Sequence, residues 1–387
     1  MITVLQYYIS VSYIWRCQAT LLTLLPQLMR TLWILTIFVP WLAGGQRFRT
    51  WEGGYIIQIS PEVSIASFLG AYPDLSRHVS GALEYGHFQA IYGTFDRRIM
   101  RLLKPGSAVV DISPDVTVKI FDVQANAPRH LARISQLEPL AAEGPYDYVY
   151  DPSGGKGVDV YLLDSGINPT MSEFGNRISH GVDLTEEGFE DENGHGTCVA
   201  GIVGSETYGV AKKVNLINVK VINSEGRGKL SWVLQAIGYV IDAKTLSDRP
   251  SVINMSLGTP RNSILNNAVQ QLYDMDIPVV AAVGNADSPA CSMSPASASS
   301  VLSIGAFDDR HDAIASFSNW GQCVDAFAPG VNVVSVSYQD GSPIVYSGTS
   351  VASPIGAGLV AYFMGMGDSG QQAVQRVSRR ETLHYHN

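Results

Sequence analysis

Val158-Asp159-Val160-Tyr161-Leu162-Leu163-Asp164-Ser165-Gly166-Ile167 is an apolar run, rich in β-branched residues, that ends in an acid and a glycine. A run of this kind, closed by a turn signal, reads as a strand buried on both faces. Four more follow it: Leu216 to Val221, Val252 to Leu257, Pro278 to Val283 and Val301 to Ala306. Between them, Leu230 to Ala243 and Ile264 to Met275 repeat their apolar residues at helical spacing. Strands that alternate with helices predict an α/β fold, a doubly wound parallel sheet with helices on both faces. Ligands of such sheets bind beyond the carboxyl ends of the strands, and the polar motifs of this chain fall there.

Toward the N-terminus the pattern changes. Arg47 to about Phe121 reads as a small α+β unit, with a strand at Tyr55 to Ile59, a helix at Asp96 to Leu103 stopped by Pro105-Gly106, and a second strand at Ala108 to Ile112. It gathers no catalytic residue types, so it either serves the larger unit or stands as an accessory domain. Residues 1 to 45 are almost uninterrupted apolar sequence, with only Arg16 and Arg30 charged. From Met29, a candidate true start, the stretch reads as a secretory signal: Arg30 as the basic region, Leu32 to Leu42 as the apolar core, and Ala43-Gly44-Gly45 as the small residues before a cut. A membrane anchor over residues 21 to 42 is the alternative.

The 387 residues suffice for one large core and a smaller domain, and a net charge of −9 argues against nucleic acid or an anionic membrane as partner. Four cysteines fit an oxidising compartment without making a disulfide scaffold. Cys17 would leave with the signal, Cys291 and Cys323 are the candidate pair, and closing their loop is worth about 3 kcal/mol on the chain-entropy model. Cys198, inside an apolar stretch, reads as a buried small hydrophobe.

Four short motifs carry the chemistry. In Gly348-Thr349-Ser350-Val351-Ala352-Ser353-Pro354 a serine opens a predicted helix, where free N–H groups and the positive dipole end favour an oxyanion. A small-residue helix start packed on a neighbour has the same composition. Asp164 follows a strand directly, as a turn-forming or capping Asp also does. In Asn193-Gly194-His195-Gly196-Thr197-Cys198 a His stands between glycines at a helix start, open to approach or simply at the surface. Asn285 follows the strand Val280 to Val283 and Gly284, where a turn Asn is equally at home. Taken together they form a serine-hydrolase set. Ser350 needs a base, His195 can take its proton and return it to the leaving amine, and Asp164 can fix the imidazole and stabilise its cation. Asn285 supplies a side-chain N–H for the oxyanion beside the backbone N–H of Ser350.

With these residues in hand, the chain resembles the subtilisin-like serine proteases, in particular their fungal proteinase K and cerevisin-like branch. Asp164-Ser165-Gly166, His195-Gly196-Thr197 and Gly348-Thr349-Ser350 match the family's three signatures in the order Asp, His, Ser, and Asn285 matches its oxyanion asparagine. The resemblance implies a signal region over 1–45, an inhibitor I9-like propeptide over 46–121 that acts as intramolecular inhibitor, and a peptidase S8 domain over 122–387. Propeptide cleavage would fall after Phe121, with Val118 three residues before it. Asn126-Ala127-Pro128 resembles the start of the mature enzyme, although Arg129-His130 stands where the family usually has Trp-Gly. It further implies that Gly228-Lys229-Leu230 and Ser256-Leu257-Gly258 are two strands that pair with an extended substrate. Ser256-Leu257-Gly258 and Ala282-Val283-Gly284 would wall a primary pocket without charge, which predicts cleavage after apolar or aromatic residues. Cys291 and Cys323 sit where some relatives form a disulfide. Asp325 with the carbonyls of Ser299 and Val301 matches a structural calcium position, or is a solvated loop; the chemistry itself needs no cofactor.

Some positions depart from that pattern. Val351 replaces the usual Met, Cys198 and Ile355 replace histidines, and the chain ends at Asn387, soon after Arg380, where relatives usually carry more sequence over this helix. The expected product is a secreted monomeric serine endopeptidase acting on proteins and peptides, with a vacuolar destination as the alternative. The rival reading is a catalytically silent subtilase-fold protein that binds peptides. Asn254-Met255-Ser256 is a formal glycosylation sequon placed in a predicted buried strand, and is expected to be unmodified.

Overall fold

The computed structural model describes residues 54–103, 108–115 and 122–378. The leader with its Met29 start, the anchor stretch 21–42, Pro105-Gly106, and Phe121 with Val118 lie outside them. The chain divides into two compact units, residues 1–118 and 119–387.

In the smaller unit, β1 (Tyr55–Ile59), α1 (Ile65–Ala71), β2 (Val79–Tyr85), β3 (Phe88–Gly93), α2 (Arg97–Leu102) and β4 (Val109–Pro114) form an antiparallel sheet in the order β2-β3-β1-β4 with helices. Ser64 caps α1 by accepting the Ser67 N–H. Ile57, Ile59 and Ile91 from the strands meet Phe68, Leu75 and Ile99 in one core. Sequence periodicity found β1 and α2 and missed β2 and β3. In Val79–Tyr85 the side chains are half or fully exposed, so no alternation marks the strand.

The larger unit carries the predicted sheet. Its strands are β5 (Asp159–Asp164), β6 (Ile178–Asp183), β7 (Asn215–Lys220), β8 (Ser251–Met255), β9 (Val279–Ala282), β10 (Val301–Asp308), β11 (Ala313–Ile314) and β12 (Ala326–Pro329). The order is β11-β10-β9-β8-β5-β7-β6, with β12 also on β10. Every pairing is parallel except β10 with β11.

Alternation along each strand explains why helices cover both faces. Val160 and Leu162 of β5 join the core beneath α3 (His195–Gly204) and α6 (Thr349–Gly365), while Tyr161 and Leu163 join the core beneath α4 (Leu230–Ser247) and α5 (Ser263–Asp274). A strand wet on neither face needs no polar positions, which is why these runs read as continuously apolar. A final helix, α7 (Gly370–Ser378), packs on α6 through Ala373, Val374 and Val377. Asp276 accepts the N–H groups of Gly370 and Gln371 and so fixes its start. No described helix is long and apolar enough to cross a membrane.

Candidate active site

Asp164 is the last residue of β5 and its side chain is 3% exposed. Its Oδ1 accepts the N–H of Ser165 at 2.8 Å and lies 2.7 Å from His195 Nδ1. A carboxylate accepts only, so Nδ1 carries the proton and Nε2 is left with its lone pair facing away. The Asp164 charge raises the His195 pKa; burial opposes it, and the hydrogen bond and the charge of Asp191 add to the rise.

His195 is the first residue of α3, and two features bring it to Asp164. Gly196 lies so close to the turn after β5 that a Cβ there would meet the carbonyl oxygen of Gly166 at 2.1 Å. Only glycine permits that approach. Asp191, 5% exposed, accepts the N–H groups of Asn193, Gly194 and Thr197, the Thr197 hydroxyl, and the Ser165 hydroxyl. Ser165 Oγ in turn accepts the N–H of Gly196 at 2.9 Å. One buried carboxylate thus caps α3 and clamps it to the Asp164 turn. The sequence reading missed Asp191, although an acid just before a helix start is a capping signal.

Ser350 lies in the first turn of α6, after Gly348 at φ 155°, and α6 packs against α3. Asn285 Oδ1 accepts both the N–H and the hydroxyl of Thr349, at 2.8 and 2.9 Å, while Thr349 Oγ1 accepts the Gly284 N–H. Those donors fix which end of the amide is oxygen, so Nδ2 points the other way. A Cβ built on Gly348 would sit 3.1 Å from Ser350 Oγ and 3.3 Å from Asn285 Nδ2. The hydroxyl and the amide donor therefore border one small space that a side chain at 348 would invade. His195 and Ser350 are not hydrogen-bonded to each other here, and such bonds commonly tighten only when substrate enters.

A cavity of about 460 Å³ is lined by Asp164 and His195, though not by Ser350 or Asn285, and further by Gly228, Lys229 and Leu230 and by Ser256, Leu257 and Gly258. Ile222, Val233 and Leu265, which the sequence reading did not single out, supply further apolar lining. The two expected substrate segments are edges of loops: Gly228 makes one bridge with Ile222, Lys229 is extended and caps α4, and Leu230 already belongs to the helix. Ala282, Val283 and Gly284 are not among the lining residues. Val283 is buried with Ala290, Ala296 and Val324, and Gly284 at φ 103° turns the chain into Asn285.

Cys291 and Cys323 form a disulfide with Cα atoms 5.2 Å apart, and Cys198 is free and buried. Burial pushes the Cys198 thiol up to about 12, so it is an inert core residue. Asp325 is exposed, and its Oδ2 accepts the N–H and hydroxyl of Ser303. Among the described residues no group of three or more His, Cys, Asp or Glu is placed to hold a metal ion. Asn254 is wholly buried with both ends of its amide hydrogen-bonded.

Comparison with known proteins accords with this geometry. Residues 155–380 match the subtilase family model. The chain is 41% identical over 294 residues to the subtilisin-like serine protease AsES of Sarocladium strictum, covering 75% of this chain and 74% of that protein. It is 41% identical over 263 residues to proteinase T of Parengyodontium album, covering 67% and 88%. The crystal structure of a cold adapted subtilisin-like serine proteinase superposes with a TM-score of 0.59 at 37% identity, over 64% of this chain and 89% of that one. The chain belongs to the subtilase family and is a subtilisin-like serine endopeptidase, acting on protein and peptide substrates without a cofactor in its chemistry.

Proposed function

We propose that Asp164, His195 and Ser350 are the catalytic triad and that Asn285 is the side-chain donor of the oxyanion hole. The observation that carries this reading is the Asn285 amide, turned by Thr349 so that Nδ2 borders the same space as Ser350 Oγ. Ser350 Oγ attacks the scissile carbonyl carbon as its proton passes to His195 Nε2. The carbonyl electron pair moves onto oxygen, where Asn285 Nδ2 and the Ser350 N–H donate to it. Collapse breaks the C–N bond, the amine leaves with the proton from His195, and the acyl group stays on Ser350. Water, deprotonated by the same Nε2, then releases the acid and restores the serine. Asp164 lowers the cost of the imidazolium in both halves.

Gly228 to Leu230 and Ser256 to Gly258 are read as the edges that pair with substrate backbone, since both border the cavity beside His195. Cleavage follows apolar or aromatic residues. The unit ending near residue 118 is read as the inhibitory propeptide, removed by the enzyme itself after Phe121, and the mature enzyme as a secreted monomer. A calcium ion at Asp325 with the carbonyls of Ser299 and Val301 is a lean site, because Ser303 already occupies Oδ2 and calcium takes six to eight oxygens. No step depends on it.

The test is the intact mass of the purified precursor beside Ser350→Ala after overnight incubation. Loss of a fragment ending near Phe121 in the wild type alone supports nucleophile, self-processing and apolar preference together. Two folded proteins that both stay full length would refute the triad, and a peptide library with strict basic preference would refute the pocket assignment.

A further inference from the structure

The nucleophile's backbone is anchored from the substrate side. In an α-helix the carbonyl of residue 350 accepts the N–H of residue 354. In α6 that residue is Pro354, which has no N–H to give. The Ser350 carbonyl instead accepts the Ser256 hydroxyl at 2.8 Å. Ser256 belongs to the segment that leaves β8 and lines the substrate cavity.

The direction of that bond is fixed by its neighbours. Asn254 Nδ2 donates to Ser256 Oγ at 3.0 Å, and Asn254 Oδ1 accepts the Ser353 hydroxyl at 2.9 Å. An amide nitrogen only donates, so Ser256 must send its one proton onward to Ser350. The donors run one way, from Ser353 through Asn254 and Ser256 to Ser350, and close on the same turn of α6. Asn254 and Ser353 are wholly buried and Ser256 nearly so, so water does not compete for these groups.

We propose that Ser256 is a positioning residue: its hydroxyl replaces the helix bond that Pro354 removes, and ties the placement of Ser350 to the segment that holds the substrate. This rests on the reading of Ser350 as nucleophile. A chain of hydrogen bonds that only stabilised the fold would also be lost on mutation. The two roles separate in the kinetics and in the coupling to Pro354.

The test uses the full-length chain, left to process itself, with Ser256→Ala, Ser256→Thr, Pro354→Ala and the Ser256→Ala/Pro354→Ala double variant. It measures kcat and KM on an apolar peptide substrate, and the rate at which a neutral fluorophosphonate labels Ser350, read by intact mass and peptide mapping. Ser256→Ala is expected to lose about tenfold in kcat and in labelling rate, with KM within about twofold. Ser256→Thr, which keeps the hydroxyl, restores most of the loss. In the Pro354→Ala background, where residue 354 has an N–H again, Ser256→Ala costs less than about threefold. If Ser256→Ala does not fold, Ser256→Cys, a weak donor of similar size, takes its place in the same comparison. An equal loss in both backgrounds, or a loss confined to KM or melting temperature with labelling unchanged, overturns the proposal. Wild-type enzyme that cleaves peptide but is labelled elsewhere than Ser350 overturns the nucleophile assignment first, a distinct result.

Discussion

The two helices that carry the proposed base and nucleophile are anchored by opposite chemistry. At α3 the anchors are charged: Asp164 holds the imidazole of His195, and Asp191 gathers the N–H groups of the helix start. At α6 they are neutral: Asn285 and Thr349 fix the first turn, and Ser256 holds the carbonyl of Ser350. The difference follows the charge each helix must meet. In the proposed mechanism His195 becomes a cation, and a carboxylate behind it lowers that cost. The proposed oxyanion forms beside Ser350, and a carboxylate about 5 Å away would raise its energy by about 3 kcal/mol at an effective dielectric of about 20.

Exchanging the two chemistries should do the most damage. Asn285→Asp keeps an acceptor for Thr349, removes the Nδ2 donor and adds a charge. Losing the donor alone costs about 10²- to 10³-fold in kcat, and the charge about 10² more. Asn285→Leu, which loses the donor and the acceptor for Thr349 but adds no charge, is the benchmark, and a kcat for Asn285→Asp no lower than that of Asn285→Leu would show that the neutrality of this half is immaterial.

The reverse exchange is Asp164→Asn, with an expected kcat loss of about 10⁴-fold. Its pH profile carries more information than its size. The Asp164 charge is the main cause of the raised His195 pKa, so the acid limb of kcat/KM should move to lower pH in the variant. An unmoved limb would mean that another group sets it. The sign for stability is opposite to that of a depressed acid. With its folded pKa raised, His195 contributes most below its unfolded value, about 6.5, and the contribution fades as pH rises through the folded value.

Asp191→Asn should act on stability more than on rate. It removes the charge at the α3 start and part of the acceptor set, a loss of about 2–3 kcal/mol, read as a lower urea midpoint at pH 7. Unchanged stability would leave Gly196 and Ser165 as sufficient anchors for this helix.

The smallest effect uses a buried histidine without a carboxylate. His130 is 3% exposed and its Nε2 lies 3.0 Å from the Tyr208 carbonyl oxygen; burial lowers its pKa to about 4. Its folded pKa is depressed, so unfolded chain binds the proton first, and stability is lost as pH falls from about 6.5 toward 4. The loss reaches about 2 kcal/mol at pH 5 and is absent at pH 7. His130→Gln should remove that slope in melts at pH 7 and pH 5. Parallel melts of variant and wild type would show that burial alone does not suppress this imidazole.

Much of this was legible in the chain. Five central strands and the two helices α4 and α5 declared themselves because both faces of the sheet are buried and the runs stay apolar from end to end. Asp164, His195, Ser350 and Asn285 showed as short motifs, each at a strand end or helix start. Strand β2 did not show, because its half or fully exposed side chains leave no alternation, and β3 did not because its buried positions include Gln89 and Gly93, which carry no apolar signal. The walls of the cavity were half legible. Gly228 to Leu230 and Ser256 to Gly258 line it, but Ile222, Val233 and Leu265 come from a loop and the inner faces of α4 and α5 and look like any core residue in sequence.

The sequence by itself determined what repeats or clusters locally: the apolar runs, the helical periods, the glycines that let Gly196 and Gly348 meet other chain closely. Those are properties of a few consecutive residues and their allowed dihedrals. Only the tertiary structure decided the partners. His195 finds Asp164 across 31 positions, Asn285 finds Thr349 across 64, and Ser256 finds the Ser350 carbonyl across 94. A hydrogen bond selects by distance and direction in space, and the chain between two partners carries no mark of either.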